Sequence, residues 1–138
     1  MSSSNIPWQQ LRTSALHATT LSYAPYSHVT VGAAAITESG AIVTGSNIEN
    51  ASYGLTLCAE CSLVSDLARQ GGGRLLAISV VAGDGLPLAP CGRCRQVLFE
   101  HGGKSLIVDD GSDHPERTIG DLLPDAFGPA DLDTRSNS

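Results

Sequence analysis

Apolar and polar positions along this chain switch between a helical and an extended period. Trp8, Leu11, Ala15 and Leu16 recur at three- and four-residue steps, which predicts a helix running as far as Thr20. Ser4 or Asn5 supplies its N-cap and Pro7 falls near its first turn. Pro25 disfavours helix at itself and at the residue before it, so Tyr23-Ala24-Pro25-Tyr26 breaks the pattern. Val29 to Thr37 then reads as a strand, apolar on both faces at its centre and hence covered on both sides. Glu38-Ser39-Gly40 turns the chain into a second strand, Ala41 to Ile48, antiparallel to the first. A second helix is predicted from Leu57 to Gln70, with Ala59, Leu63, Val64, Leu67 and Ala68 on its apolar face and Gly71-Gly72-Gly73 ending it.

Leu75 to Ala82 is a buried strand, followed by a loop from Gly83 to Ala89. A third helix starts at Pro90 or Cys91 and runs to His101, burying Val97 and Leu98. Ser105 to Val108 forms another strand, and Asp109 to Arg117 a polar loop. A short last strand is expected around Arg117 to Ile119, then a short helix beginning at Thr118 or Gly120 and ending at Leu123, before Pro124. Asp133 to Ser138 carries no core residues and reads as a disordered tail. The order α-β-β-α-β-α-β, with a short final strand, predicts an α/β protein whose mixed sheet lies between helical layers.

Composition narrows this picture. A chain of 138 residues is one domain by length, here 1–132, with no repeat or linker. Aromatics make up only 4%, so the core is built from Ala, Val, Leu and Ile. A formal charge of −6 opposes binding to a phosphate backbone, so no nucleic-acid partner is expected. No signal peptide and no stretch of membrane-spanning length is visible, and free or metal-bound thiols fit a reducing cytoplasm. His17, His101 and His114 read as surface or packing residues.

The candidate chemistry lies between Cys58 and Cys94. This stretch contains all four cysteines, as Cys58-Ala59-Glu60-Cys61 and Cys91-Gly92-Arg93-Cys94. Two such pairs suggest zinc rather than disulfides. A closed structural site would use Cys58, Cys61, Cys91 and Cys94; a catalytic site keeps one position open for water. Cys58 and Cys61, three residues apart, are able to share a helix face, which keeps the four-cysteine module in play. Glu60 favours the open site, because hydrolysis needs a carboxylate that takes a proton from water and passes it on; alone it would read as a first-turn helix acid. Cys58 and Cys91 both fall at predicted helix starts, where unpaired amides and the helix dipole stabilise thiolates. Asn47-Ile48-Glu49-Asn50 reads by spacing alone as a polar turn, and Phe127 as a core residue.

The pattern of a ligand, one residue, Glu, and then Pro90-Cys91-Gly92-Arg93-Cys94 is that of zinc deaminases. The chain resembles the cytidine deaminase family in its small, three-cysteine, nucleoside-acting form. The resemblance spans roughly residues 7 to 132. It rests also on Tyr23-Ala24-Pro25-Tyr26-Ser27-His28, Val31-Gly32-Ala33-Ala34, Gly45 to Ala51, Arg95-Gln96, and Leu122-Leu123-Pro124 with Phe127-Gly128. It implies a three-layer α/β/α fold with a mixed central sheet of about five strands. It also implies one zinc per chain on Cys58, Cys91 and Cys94, with zinc-bound hydroxide as the nucleophile and Glu60 as the proton shuttle. The implied activity is deamination of cytidine and deoxycytidine to uridine and deoxyuridine in pyrimidine salvage; a same-fold deaminase acting on a nucleoside antibiotic is the alternative.

By the same resemblance Asn47 and Glu49 bond the ribose hydroxyls, Ala59 contacts the substrate, and Phe127 reaches a neighbour's pyrimidine within a homotetramer. The chain departs from the family at two places. Cys61 stands where most members have an Arg that balances thiolate charge, leaving Arg93 or Arg95 as substitutes. Val29 stands where Phe often contacts the pyrimidine.

Overall fold

The computed structural model describes residues 5–136. Its elements are α1 (Trp8–Thr19), β1 (Val31–Thr37), β2 (Ile42–Ser46), α2 (Ala59–Arg69), β3 (Leu75–Ala82), α3 (Gly92–Gly102), β4 (Ile107–Val108), α4 (Ile119–Leu122) and α5 (Pro129–Ser136). The strands form one mixed sheet in the order β2-β1-β3-β4. β1 pairs antiparallel with β2 and β3, and β3 pairs parallel with β4.

Strand alternation divides the core into two layers. Ala34, Ile36, Ala77 and Val81 face α1 and pack with Ile6, Trp8, Leu11 and Ala15. Ala33, Ala35, Ile78 and Val80 face the other way, against Ala59, Leu63 and Leu67 of α2 and Leu98 of α3. This is the expected three-layer arrangement. Two glycines let the helices approach closely. A Cβ on Gly32 would collide with the Ala15 carbonyl and the Thr19 amide of α1; one on Gly45 would collide with the Ala59 carbonyl and the Leu63 amide of α2. Gly45 therefore presses the first turn of α2 against the sheet.

The structure corrects several expectations. The sheet has four strands among the described residues, not about five. Arg117 and Ile119 do flank β4, through Val108 N–H to Arg117 O at 2.7 Å and Ile119 N–H to Leu106 O at 2.9 Å. Only a single bridge forms there, Ile107 to Thr118, because Thr118 already serves as the N-cap of α4 in a capping box with Asp121. β1 begins at Val31 rather than Val29. His28 has φ +62°, outside extended geometry, and the Asn47 side chain occupies the Val29 carbonyl and the Val31 amide. Leu16 and Ala68 are exposed and Val97 is half-buried, so the buried faces of their helices are narrower than the sequence suggests. Of the predicted tail, 133–136 belongs to α5; 137–138 lies outside the described residues. No helix among the described residues is long and apolar enough to cross a membrane.

Candidate active site

Two helix N-termini meet at one end of the sheet. Cys58 is the N-cap of α2 and Cys91 the N-cap of α3, both with extended backbone. Cys94 lies in the first turn of α3 and is fully buried. The Cys58 and Cys91 sulfurs are 4.0 Å apart, and all three ligand atoms lie within 4.8 Å of one another. Cys61 does not join this group.

The donor set fits zinc. Tetrahedral coordination with zinc–sulfur bonds of about 2.3 Å separates the sulfurs by roughly 3.8 Å, close to what these side chains already show. The three thiols differ in their electrostatic surroundings. Burial, reinforced by the charges of Glu60 and Cys58, pushes the Cys94 thiol far above its ordinary range. Burial likewise raises Cys58. Cys91 goes the other way: burial opposes ionisation, but the Cys94 backbone amide and the neighbouring thiols outweigh it.

Glu60, in the first turn of α2, is 4% exposed, and burial raises its carboxyl above the usual carboxylate range. It lines a cavity of about 210 Å³ with Cys58, Cys91, Asn47, Val31, Leu57, Val80 and Leu88 among the other walls. The elements around it explain how it forms. Val31 and Val80 come from the sheet face under α2 and α3. Leu88 is brought in because its amide donates to the Val80 carbonyl at 2.8 Å, folding the Gly83–Ala89 loop back onto β3. Leu57 exchanges backbone hydrogen bonds with Ile48.

These apolar walls escaped the sequence reading. Their only signal was the turn Gly83-Asp84-Gly85 followed by Leu86 and Leu88, a strand-like return. Val29, where the resemblance expects a Phe, is 54% exposed and lies outside the cavity lining, whose apolar side chains come from Val31, Leu57, Val80 and Leu88.

The remaining candidate residues are placed differently from one another. Asn47 lines the cavity, but its Oδ1 accepts from Val31 N–H at 2.8 Å and its Nδ2 donates to Val29 O at 2.9 Å. Glu49 lines a second depression of about 310 Å³ with Tyr26, Ser27, Tyr53 and Thr56; Thr56 also borders the first cavity. The Glu49 carboxyl is held below its ordinary range, chiefly by the Ser27 hydroxyl. Ala59 is fully buried, directly after Cys58. Phe127 is 58% exposed, between α4 and α5, and does not line its own chain's cavity.

Of the two arginines, Arg95 is committed to the Pro90 and Leu122 carbonyls at 2.8 and 3.0 Å. Arg93 instead reaches back to the Thr56 carbonyl at 3.5 Å, two residues before Cys58.

Comparison with known proteins agrees with this geometry. A family model described as the cytidine and deoxycytidylate deaminase zinc-binding region matches residues 7–109. A cytidine deaminase of Mycobacterium tuberculosis is 56% identical over 130 residues, covering 93% of this chain and 95% of that one. One from Halalkalibacterium halodurans is 42% identical over 127 residues, 90% of this chain and 96% of that one. The crystal structure of the cytidine deaminase from M. tuberculosis aligns with a TM-score of 0.86, covering 90% of this chain and 99% of that one.

Proposed function

This chain belongs to the cytidine deaminase family, and on that premise we propose that it hydrolyses cytidine and deoxycytidine to uridine and deoxyuridine, releasing ammonia, as a step of pyrimidine salvage. The observation that carries this reading is the meeting of buried Glu60 with Cys58 and Cys91 at one cavity of about 210 Å³, with the buried Cys94 sulfur clustered behind theirs. Zinc held by these three cysteines supplies Lewis-acid activation of water at neutral pH.

Glu60 takes a proton from the water whose oxygen attacks the amine-bearing carbon of the cytosine ring. It delivers that proton to the adjacent ring nitrogen. It then moves the second water proton to the amine, so the carbon–nitrogen bond breaks, ammonia leaves and a carbonyl remains. Burial of Glu60 keeps bulk water from competing for these protons. The walls Val31, Leu57, Val80 and Leu88 give the flat base an apolar slot. Asn47 and Glu49 serve the sugar, since a carboxylate accepts from a hydroxyl and an amide both donates and accepts. Ala59, expected at the substrate, is fully buried in the core outside the cavity lining and instead seats the first turn of α2.

We place residues 1–132 in a single catalytic domain acting in the cytoplasm, where thiols stay reduced. The working form is a homotetramer in which Phe127 lies over a neighbour's pyrimidine. Its exposure and its absence from its own chain's cavity lining support that assignment.

The decisive experiment follows the loss of absorbance as cytidine becomes uridine, with zinc measured on the same sample. About one zinc per chain with turnover is expected. One zinc per chain without turnover of cytidine or deoxycytidine overturns the reading.

A further inference from the structure

We infer that Ser27 is a positioning residue that aims the Glu49 carboxylate at the sugar of the substrate. This rests on the proposed role of Glu49 and deepens it.

The loop between α1 and β1 is tied down by the Asn47–Glu49 segment. Tyr23 N–H donates to Asn47 O at 3.0 Å, and Glu49 N–H to Tyr23 O at 2.8 Å. The Glu49 side chain then binds the loop from within. Its Oε1 accepts from the Tyr26 and Ser27 amides at 2.9 and 3.1 Å, which fills both lone pairs of that oxygen. Its Oε2 accepts from the Ser27 hydroxyl. The Ser27 oxygen in turn accepts from the Val29 amide at 3.0 Å.

The direction of these bonds is fixed by chemistry. An amide N–H only donates and a carboxylate only accepts, so the single Ser27 hydroxyl hydrogen belongs to Glu49. Ser27 therefore bridges Glu49 and Val29, across His28 with its φ of +62°. One acceptor position of Oε2 remains, on a carboxylate that lines the 310 Å³ depression bordering the base cavity at Thr56. A sugar hydroxyl entering there finds an oxygen with one open lone pair in a fixed direction. Without the Ser27 hydroxyl, Oε2 has no anchor: the carboxylate is held by one oxygen alone and water takes the other.

The test compares Ser27→Ala, Ser27→Thr and Glu49→Ala with the Ser27→Ala/Glu49→Ala double variant. Each is assayed on cytidine and on 2′,3′-dideoxycytidine, with zinc content and thermal midpoint measured alongside. One lost charge-assisted hydrogen bond corresponds to roughly a tenfold change in affinity. Ser27→Ala should therefore raise KM for cytidine about tenfold with kcat little changed, the sign of lost binding that is equal in ground and transition states. Ser27→Thr, which keeps the hydroxyl, should restore KM. Ser27→Ala should add almost nothing in the Glu49→Ala background or with the dideoxy substrate. Should Ser27→Ala melt early, Ser27→Cys, similar in size and a weak donor, should show the same KM shift at native stability.

If Glu49→Ala raises KM for cytidine while Ser27→Ala and Ser27→Cys leave it unchanged, the positioning role is overturned and the Glu49 reading stands. Equal losses from Ser27→Ala with and without Glu49 also overturn it, since Ser27 then acts independently. If Glu49→Ala leaves KM unchanged on both substrates, the sugar role of Glu49 falls, and the role of Ser27 falls with it.

Discussion

The Cys58 and Cys91 sulfurs stand 4.0 Å apart although 33 residues separate them along the chain. Each caps a helix, and each helix start turns toward the other, so the thiols arrive where two sets of unpaired amides converge. Cys94 completes the group from the first turn of α3, and Cys61 is left outside it. Cys61→Ser should accordingly retain about one zinc per chain and most of the activity. Cys91→Ser should lose both, and a strong chelator should abolish turnover of the unmodified enzyme. Metal analysis of the purified variants checks this; equal zinc loss from the two substitutions contradicts the three-thiol site.

Glu60 is buried beside that group, and the proposed chemistry asks it to cycle protons. Glu60→Gln keeps the shape and removes the proton site. Zinc and fold should survive while kcat falls by at least roughly 10²–10⁴-fold, the range of general acid–base catalysis. Activity within about threefold of the parent would remove Glu60 from the proton path.

Phe127 offers a test of assembly. Stacking of an aromatic ring on a base contributes about 1–3 kcal/mol, so Phe127→Ala should lower kcat/KM for cytidine by roughly ten- to hundredfold at constant zinc content. Mixed oligomers of Phe127→Ala with Glu60→Gln should regain part of the activity, because one subunit supplies Glu60 and the other the ring. Native mass measurement establishes mixing. Mixed oligomers without regained activity would assign Phe127 to its own subunit.

Stability depends on a second charged cluster, on the α1 side of the sheet. Asp109, 1% exposed, accepts two hydrogen bonds from Arg12 at 2.9 and 2.8 Å, one from the Ser79 hydroxyl and one from the Gly111 amide. Burial pushes the Asp109 carboxyl up, but Arg12, Gly111 and Ser79 outweigh it and hold the carboxyl below its ordinary range. The folded state thus favours the carboxylate more than the unfolded chain does. This stabilisation is complete above the unfolded value of about 3.9 and is lost as pH falls through the lower folded value. Asp109→Asn should cost about 3 kcal/mol at pH 7, since it leaves Arg12 without its charge partner. The gap to the parent should narrow as pH drops below about 4. Urea unfolding across pH measures both.

Much of the architecture was legible because it is set locally. Hydrophobic period and turn residues placed α1, α2, β3 and α3 within a few residues, since periodicity, caps and the Gly71-Gly72-Gly73 stop act over one or two turns. The cysteine spacing marked the zinc site, because a helix start with a thiol at its cap is a local feature. Local signals also misled where a neighbour claimed the same atoms: Asn47 ends the strand expected from Val29, and the Thr118–Asp121 capping box stops a fifth strand from forming. The resemblance had already singled out Cys58, Cys91 and Cys94 from the four cysteines, and the fold brings those three together; that Val31, Val80 and Leu88 wall one cavity was decided only by the tertiary structure. The pairing of Arg12 with Asp109, 97 residues apart, belongs to the same class. Such contacts depend on strand register and on how closely helices seat against the sheet, as at Gly32 and Gly45, and those distances are fixed only when the whole core packs at once.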